Sequence, residues 1–429
     1  MNKFLKKALC LLTALTMTLS FGGCQALLGG TDGSSSSGWS DSGYGDSSST
    51  GGSSTGGSTS TGGNSSVGPE LPDDSSGGNS SSGGNSSTGG NSSSGGNSSS
   101  GGNSSSGGGA VDPDLPDEKT AKLDIHFLEL GNKNSGDCTY IKAGDTDILI
   151  DAGSVESSAS TITSYVNHYC TDGVLEYVIA THADKDHIAA FVGSNGNGIF
   201  DYYKIGTLID FPRSDKETQI YGNYKTKRSS IIAKGTQHYT ALEWWKEEKG
   251  LTRSIEIADG ITMNVLYQKY YENSHSDENN YSVCVMFSQG DNHYLFTGDL
   301  EEAGEKSLVE SNNLPKVKLY KGGHHGSATS SMSALLAKIQ PEVVCVCCCA
   351  GDKYNFPTQD FINRVALYTD KIYVTTMITG TGTGYASMNG NIVVSSTGGA
   401  VTVNCSNNNT ILKNTEWFKS NRVWPTGGV

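Results

Sequence analysis

The sequence predicts an α/β fold of the αββα sandwich type: two mixed β-sheets packed face to face, with helices on both outer sides. Two observations lead there. A cluster of strand-like runs is followed by alternating helix and strand, and this order occurs twice. Runs such as "LEYVIAT" and "EVVCVCCC" are almost continuously apolar, as in strands covered on both faces.

The elements read in order as follows. "KLDIHFLEL", "CTYIKA" and "DILIDAG" are three short strands separated by Gly/Asp turns. "ESSASTITSYVNHYC" is a helix, with Ile162, Tyr165 and Val166 at helical spacing. "LEYVIAT" and "KIGTLIDF" are strands. "SIIAKGTQHYTALEWWKEEKG" is expected to be a helix, weakened by Gly235 and ending at Gly250. The strands "ITMNVLY", "YSVCVMF" and "HYLFTGD" open the second half. Helix "LEEAGEKSLVES", strand "KVKLYKG", helix "SMSALLAKI", strand "EVVCVCCC", helix "TQDFINRVALY" and strand "KIYVTT" then alternate. "GNIVVSSTGGAVTVNC" is a hairpin turning near Thr397–Gly399.

Only residues 121–429 carry this pattern, enough for one large core. Residues 1–23 have the parts of a secretory signal: Lys3, Lys6 and Lys7, an apolar run from Ala8 to Phe21, then small residues. That run is shorter than the about 20 residues of an ordinary membrane span. "FGGC" looks like a bacterial lipobox, with Cys24 as the lipidated residue, although Phe21 replaces the usual Leu. The alternatives are a plain secreted protein or an uncleaved anchor. Residues 24–120 are expected to be a disordered tether, since "GGNSSS" repeats have nothing apolar to bury. Its reach is on the order of 50 Å. The expected location is the extracellular face of a bacterial membrane, through lipid on Cys24.

Of the net charge of −14, the leader accounts for +3 and residues 29–120 for −9, leaving −8 for the domain. An acidic surface is poor for sequence-independent binding to phosphate backbones. The cluster of Cys345, Cys347, Cys348 and Cys349 has no second pair at zinc-finger spacing. It reads better as a buried strand, where Cys packs as a small apolar side chain. Tyr267, Tyr270 and Tyr271 read as a partly exposed loop rather than a cleft rim. His275 reads as solvated. Trp244 and Trp245 read as helix packing rather than a base-stacking platform.

"THADKDH" places His182, Asp184, Asp186 and His187 directly after an apolar strand. A strand end is a rigid base, and short side chains on the next turn can converge on a point. His182 and Asp184 can face one ion, while Asp186 and His187 can face a second. Solvated loops also carry Asp and His. Two further strand tips weigh against that bland reading: "LFTGDLE" presents Asp299, and "LYKGGHHGSATSS" presents His324 and His325. Two divalent ions about 3.5–4 Å apart can stabilise charge developing on a phosphoryl or carbonyl oxygen and lower the pKa of water. The oxygen-rich first site suits Mn²⁺ beside Zn²⁺.

The series "FLELG…SGDC", "ILIDAG", "THADKDHIAA", "ENNYSVCVMF", "YLFTGDLE" and "LYKGGHHGSATSS" resembles the metallo-β-lactamase fold over roughly residues 122–395. Within that fold it is most similar to the extracellular hydrolase domain of ComEC-type competence proteins and their stand-alone relatives. The resemblance implies two divalent metal ions, Zn or Mn. His182 and Asp184 would bind the first, Asp186 and His187 the second, and Asp299 both. One of His324 and His325 would complete the second site, with His324 favoured. Asp186 and Asp299 are the catalytic candidates. Asp151 and Asp137 would support the site. Asn280 would face the first metal where many members of the fold place a His. The chain departs from the family at "NKNS", inserted before Gly136–Asp137, and at "YNFP", where Phe356 replaces the His of "YGHP".

The expected activity is hydrolysis of a phosphodiester, in nucleic acid or a small molecule. A lactamase, lactonase or thioesterase activity of the same fold is the second reading. A non-catalytic surface binding module is the third. No protein partner is evident.

Overall fold

The computed structural model describes residues 120–429. The leader, Cys24 and the tether lie outside the described residues. Strands β1 (Leu123–Phe127), β2 (Thr139–Ala143) and β3 (Thr146–Ile150) form an antiparallel meander. Then come α1 (Ser158–Val166), β4 (Val174–Ile179), α2 (Lys185–Val192), α3 (Ile199–Tyr202), β5 (Lys204–Asp210), α4 (Gln219–Ala233) and β6 (Gln237–Thr240). Strands β3 to β6 are parallel, with helices in the crossovers.

A short α5 (Ala241–Trp245) leads to the second half. There β7 (Ser254–Ala258), β8 (Ile261–Leu266), β9 (Cys284–Gln289) and β10 (Asn292–Phe296) are antiparallel. Next come α6 (Glu302–Ser311), β11 (Leu319–Lys321), α7 (Ser333–Ile339), β12 (Val343–Ala350), α8 (Gln359–Val365) and β13 (Ile372–Thr379). Strands β10 to β13 are parallel. After β14 (Gly384–Ser387), the tail forms the expected hairpin of β15 (Ile392–Ser396) and β16 (Thr402–Cys405), followed by α9 (Glu416–Asn421).

The strands form two eight-stranded sheets, ordered β16-β15-β1-β2-β3-β4-β5-β6 and β14-β13-β12-β11-β10-β9-β8-β7. Each half of the described residues builds one sheet, except that the tail hairpin returns to the first sheet beside β1. The sheets bury a common core, in which Phe127 of β1 stacks on Phe296 of β10 at 6.2 Å. Strand β12 is buried over its whole length. Cys345 and Cys347 face the core between the sheets, while Val344, Val346 and Cys348 face a second core under α7 and α8. Burial pushes the Cys345 and Cys348 thiols well up. A thiolate is the reactive and metal-binding form, so these cysteines act as packing residues.

Three local expectations change. The helix expected from Ser230 to Gly250 is broken. Gly235 adopts φ 105°, which ends α4, and residues 237–240 pair with β5. Thr240 and Glu243 then form a capping box that starts α5. Helix α4 also begins far upstream, in "QIYGNYKTKRS", which has no apolar period. Tyr270 and Tyr271 are buried rather than loop-exposed, and the Tyr271 hydroxyl accepts from the Cys284 N–H at 2.9 Å. His275 is half-buried against Tyr270, with ring centroids 4.6 Å apart. Trp244 is buried as helix packing requires.

Candidate metal centre

The site is built where parallel strands end. In the first sheet, β3 and β4 run in register, Ile150 beside Ile179, so Asp151 and Thr181 emerge side by side. In the second, β10 and β11 run parallel, so Asp299 and the His324–His325 turn emerge together. The two face-to-face sheets bring these tips to one point, the usual place for function in α/β sheets. Backbone bonds tie α2 to it: Asp137 N–H donates to Asp186 O at 3.0 Å, and Ala152 N–H to His187 O at 2.7 Å. The approach demands glycine at 153, where a Cβ would fall 1.5 Å from Asp186 O.

Asp299 is the hub. Its Oδ2 lies 3.0 Å from His187 Nε2, 3.2 Å from His325 Nε2 and 3.8 Å from His324 Nε2. His325 Nε2 is also 3.3 Å from Asp186 Oδ2, and His182 Nε2 is 3.9 Å from Asp184 Oδ2. Behind the hub, Asp151 accepts from Thr181 N–H at 2.8 Å and from the Thr181 hydroxyl at 2.7 Å, and it meets His187 Nδ1 at 2.8 Å. Asp137 lies 3.2 Å from His325 Nδ1 and ion-pairs with Lys321. Asp151, His324 and His325 all hold left-handed backbone, at φ 57°, 45° and 54°. Such strain in non-glycine residues collects at functional sites.

The donors fit a cation. Nε2 of His182 and Oδ1 of Asp299 are buried without a hydrogen-bond partner, while Nε2 of His187 and of His325 meet only carboxylate oxygens of the same cluster. Buried polar atoms left open carry a substantial cost. His182, His187 and Asp299 have donor atoms within 4.8 Å of one another, and so do Asp186, His187 and His325. Burial opposes ionisation of Asp299, but His187, His325 and His324 outweigh it and hold its carboxyl well below the usual range. Burial likewise opposes protonation of His187, but Asp299 and Asp151 raise it well above the ordinary imidazole value. His182 goes the other way, to about 4, through burial and the neighbouring His187. Burial also opposes protonation of His325, but Asp299 and Asp137 raise it well above the ordinary imidazole value. A divalent ion bound here would compete with protons on these rings.

The Metallo-beta-lactamase superfamily profile matches residues 275–350, which hold the Asp299 and His324–His325 tips. The fold is that of the metallo-β-lactamases. The chain is 28% identical to Recombination protein 2 of Haemophilus influenzae over 58% of this chain and 27% of the relative. It is 27% identical to Competence protein ComA of Neisseria gonorrhoeae over 54% and 28%. ComE operon protein 3 of Bacillus subtilis shares 24% over 46% and 23%. The matched region spans about a quarter of the length of these relatives.

Within this metallo-β-lactamase fold, His182, Asp186, His187 and Asp299 converge. Asp184 stands at the edge, its Oδ1 2.6 Å from Lys216 Nζ. Two expectations are corrected. The two left-handed residues of the turn splay the adjacent imidazoles, so His325 points inward, 1% exposed, while His324 stays at the rim beside Glu301 at 3.2 Å. His325, not the favoured His324, shares donors with Asp186 and Asp299. Asn280 does not face the site: its Oδ1 accepts from Gly304 N–H at 2.9 Å at the start of α6. Ser282 stands nearer, its hydroxyl 3.4 Å from His182 Nδ1.

Lys321 escaped the sequence reading. It is 3% exposed and reaches Asp137, the Gly298 and Gly322 carbonyls, and Asp299 at 3.7 Å. Its signal was a lysine closing an apolar strand directly before Gly-Gly. Buried lysines are rare unless paired, and this one has Asp137.

Proposed function

We propose that the domain is a metal-dependent hydrolase of phosphodiesters, displayed from the membrane surface through lipid on Cys24. The observation that carries this reading is the convergence of buried imidazoles and carboxylates at the strand tips, with His182 Nε2 and Asp299 Oδ1 left without a hydrogen-bond partner. His182, Asp184 and Asp299 would hold one divalent ion, and Asp186, His187, Asp299 and His325 another. When bound, such ions supply electrostatic stabilisation of a charged ester transition state and a more acidic water.

The chain's own residues prepare the site. Asp151 and Thr181 fix the His187 and His182 rings from behind, which sets which ring nitrogen faces inward. Lys321 holds Asp137 and the Gly298 carbonyl, linking the first sheet to the β10 tip. Asp186 is 38% exposed, so it is a donor that substrate can approach from outside. One relative's name speaks of recombination, which favours a nucleic-acid ester.

The test is metal content of the purified protein together with turnover of bis-p-nitrophenyl phosphate, single-stranded DNA and a chromogenic lactam. Bound metal with phosphodiester turnover is expected. Turnover of the lactam alone moves the reading to the lactamase class, and metal without any turnover moves it to a binding module.

A further inference from the structure

The two segments that depart from the family pattern meet in space. Ser135, from the inserted "NKNS", donates to Asp352 Oδ2 at 2.7 Å and accepts from Cys349 N–H at 3.0 Å. This clamp joins the insertion to the "GDKYNFP" loop. Between them lies a cavity of about 450 Å³ whose lining includes Lys133, Lys185, Lys353, Tyr354 and Asp186. It opens directly onto a carboxylate of the metal cluster.

Its chemistry contrasts with the rest of the domain. Three lysines gather on a domain of net charge −8. Lys185 is engaged by Glu156 at 3.3 Å. Among the described residues, Lys133 and Lys353 have no carboxylate within ion-pair distance. Lys353 instead sits 4.6 Å from the centroid of the Tyr354 ring. Tyr354 is 58% exposed and stacks on Phe356 at 5.5 Å, which holds its ring as a platform. Phe356 in turn lies 5.8 Å from both His324 and His325. The residue that replaces the family's histidine thus supports an aromatic surface beside the site.

Ammonium groups without a carboxylate partner next to an exposed ring are the parts that bind an unpaired nucleotide: charge for the backbone, a π-face for the base. We propose that this cavity is a nucleotide subsite, in which Lys133 and Lys353 neutralise phosphates beside the bond to be cut and Tyr354 stacks on one unpaired base. The proposal rests on the phosphodiesterase reading and narrows its substrate to single strands, because a paired base has no free face for Tyr354.

The experiment uses the full chain and a fluorescein-labelled pentathymidylate with phosphorothioate linkages, which resists cutting, read by fluorescence anisotropy across a salt series. The double variant Lys133→Gln/Lys353→Gln is expected to bind about tenfold more weakly, with the slope of log affinity against log salt reduced by about 1.4. Tyr354→Ala is expected to lose about 5- to 100-fold, and Tyr354→Phe to bind like wild type. Turnover of bis-p-nitrophenyl phosphate should stay within about twofold of wild type in all three, since that small ester needs only the metal cluster. A stable hairpin duplex with the same linkages should bind more weakly than the single strand. Wild type that fails to bind the oligonucleotide overturns the proposal. So does an unchanged affinity and slope in the lysine variant, or in Tyr354→Ala an affinity equal to wild type. If the oligonucleotide binds through these residues yet no phosphodiester is hydrolysed, the functional reading falls and the subsite stands.

Discussion

Two buried clusters of carboxylate and imidazole sit at strand ends in this domain, and they differ in one respect. At the end of β5, Asp210 is fully buried, but Arg228 donates to it at 2.6 Å, His238 Nε2 lies 2.9 Å away and the Tyr224 hydroxyl 3.3 Å. Every charge there has a protein partner. At the ends of β3, β4, β10 and β11, the buried His182 Nε2 and Asp299 Oδ1 remain open, and the carboxylates of Asp186 and Asp299 crowd around His187 and His325. The first cluster closes on itself and serves the fold. The second leaves a ring nitrogen and a carboxylate oxygen without protein partners, so residue type alone does not separate structure from chemistry, whereas the balance of donors does.

The largest expected effect tests the open cluster. Asp299→Ala should lower kcat/KM for bis-p-nitrophenyl phosphate by at least about 10⁴-fold, or about 5.4 kcal/mol of transition-state stabilisation, and strip bound metal. Metal analysis and kinetics on the same sample decide it, and retained metal with retained turnover would dissolve the contrast.

Next comes the closed cluster. Asp210→Ala leaves Arg228 and His238 without their acid and should cost about 3–5 kcal/mol in urea unfolding. Metal content of the folded variant should equal that of wild type. A matching loss of metal would show that the two clusters are one functional unit.

His126 offers a third case, a buried imidazole with one open nitrogen and no carboxylate bonded to it. Its Nδ1 meets the Tyr165 hydroxyl at 2.9 Å, and burial, against a weaker pull from Asp124, lowers its pKa to about 4. The unfolded chain therefore takes up the proton first. The associated stability is complete above about pH 6.5 and is lost as pH falls toward 4. Between pH 7 and pH 4, wild type should lose about 3 kcal/mol more stability than His126→Phe. Parallel pH dependences in the two proteins would contradict the assignment.

The smallest effect separates the adjacent histidines. His325→Ala should weaken metal affinity about 100-fold and His324→Ala less than about 10-fold, measured by competition with a chromogenic chelator. The reverse order would return the ligand role to His324.

Much of this is legible in the sequence. The double succession of strand cluster and alternating elements predicts the sandwich, and the run of Val and Cys in β12 predicts a strand buried on both faces. The helix expected from Ser230 to Gly250 failed because composition counts helix formers but cannot weigh a left-handed Gly235 against the pairing that β5 offers to residues 237–240. Helix α4 was missed for the opposite reason: its sequence has no apolar stripe, and tertiary packing forms it. The return of β15 to pair with β1 was also hidden, since a hairpin's own residues do not say which sheet edge it joins.

Residue order by itself determined which strand tips carry acids and imidazoles, because a ligand must follow an apolar run directly to stand on a rigid base. Only the tertiary structure decided which of those side chains turn inward. His324 and His325 are neighbours with the same chemistry, and two left-handed backbone turns send one into the cluster and leave the other at the rim. Asn280 and Lys321 exchange their expected importance for the same reason. A side chain's direction is set by the elements packed around it, which here come from the opposite sheet and from distant parts of the chain.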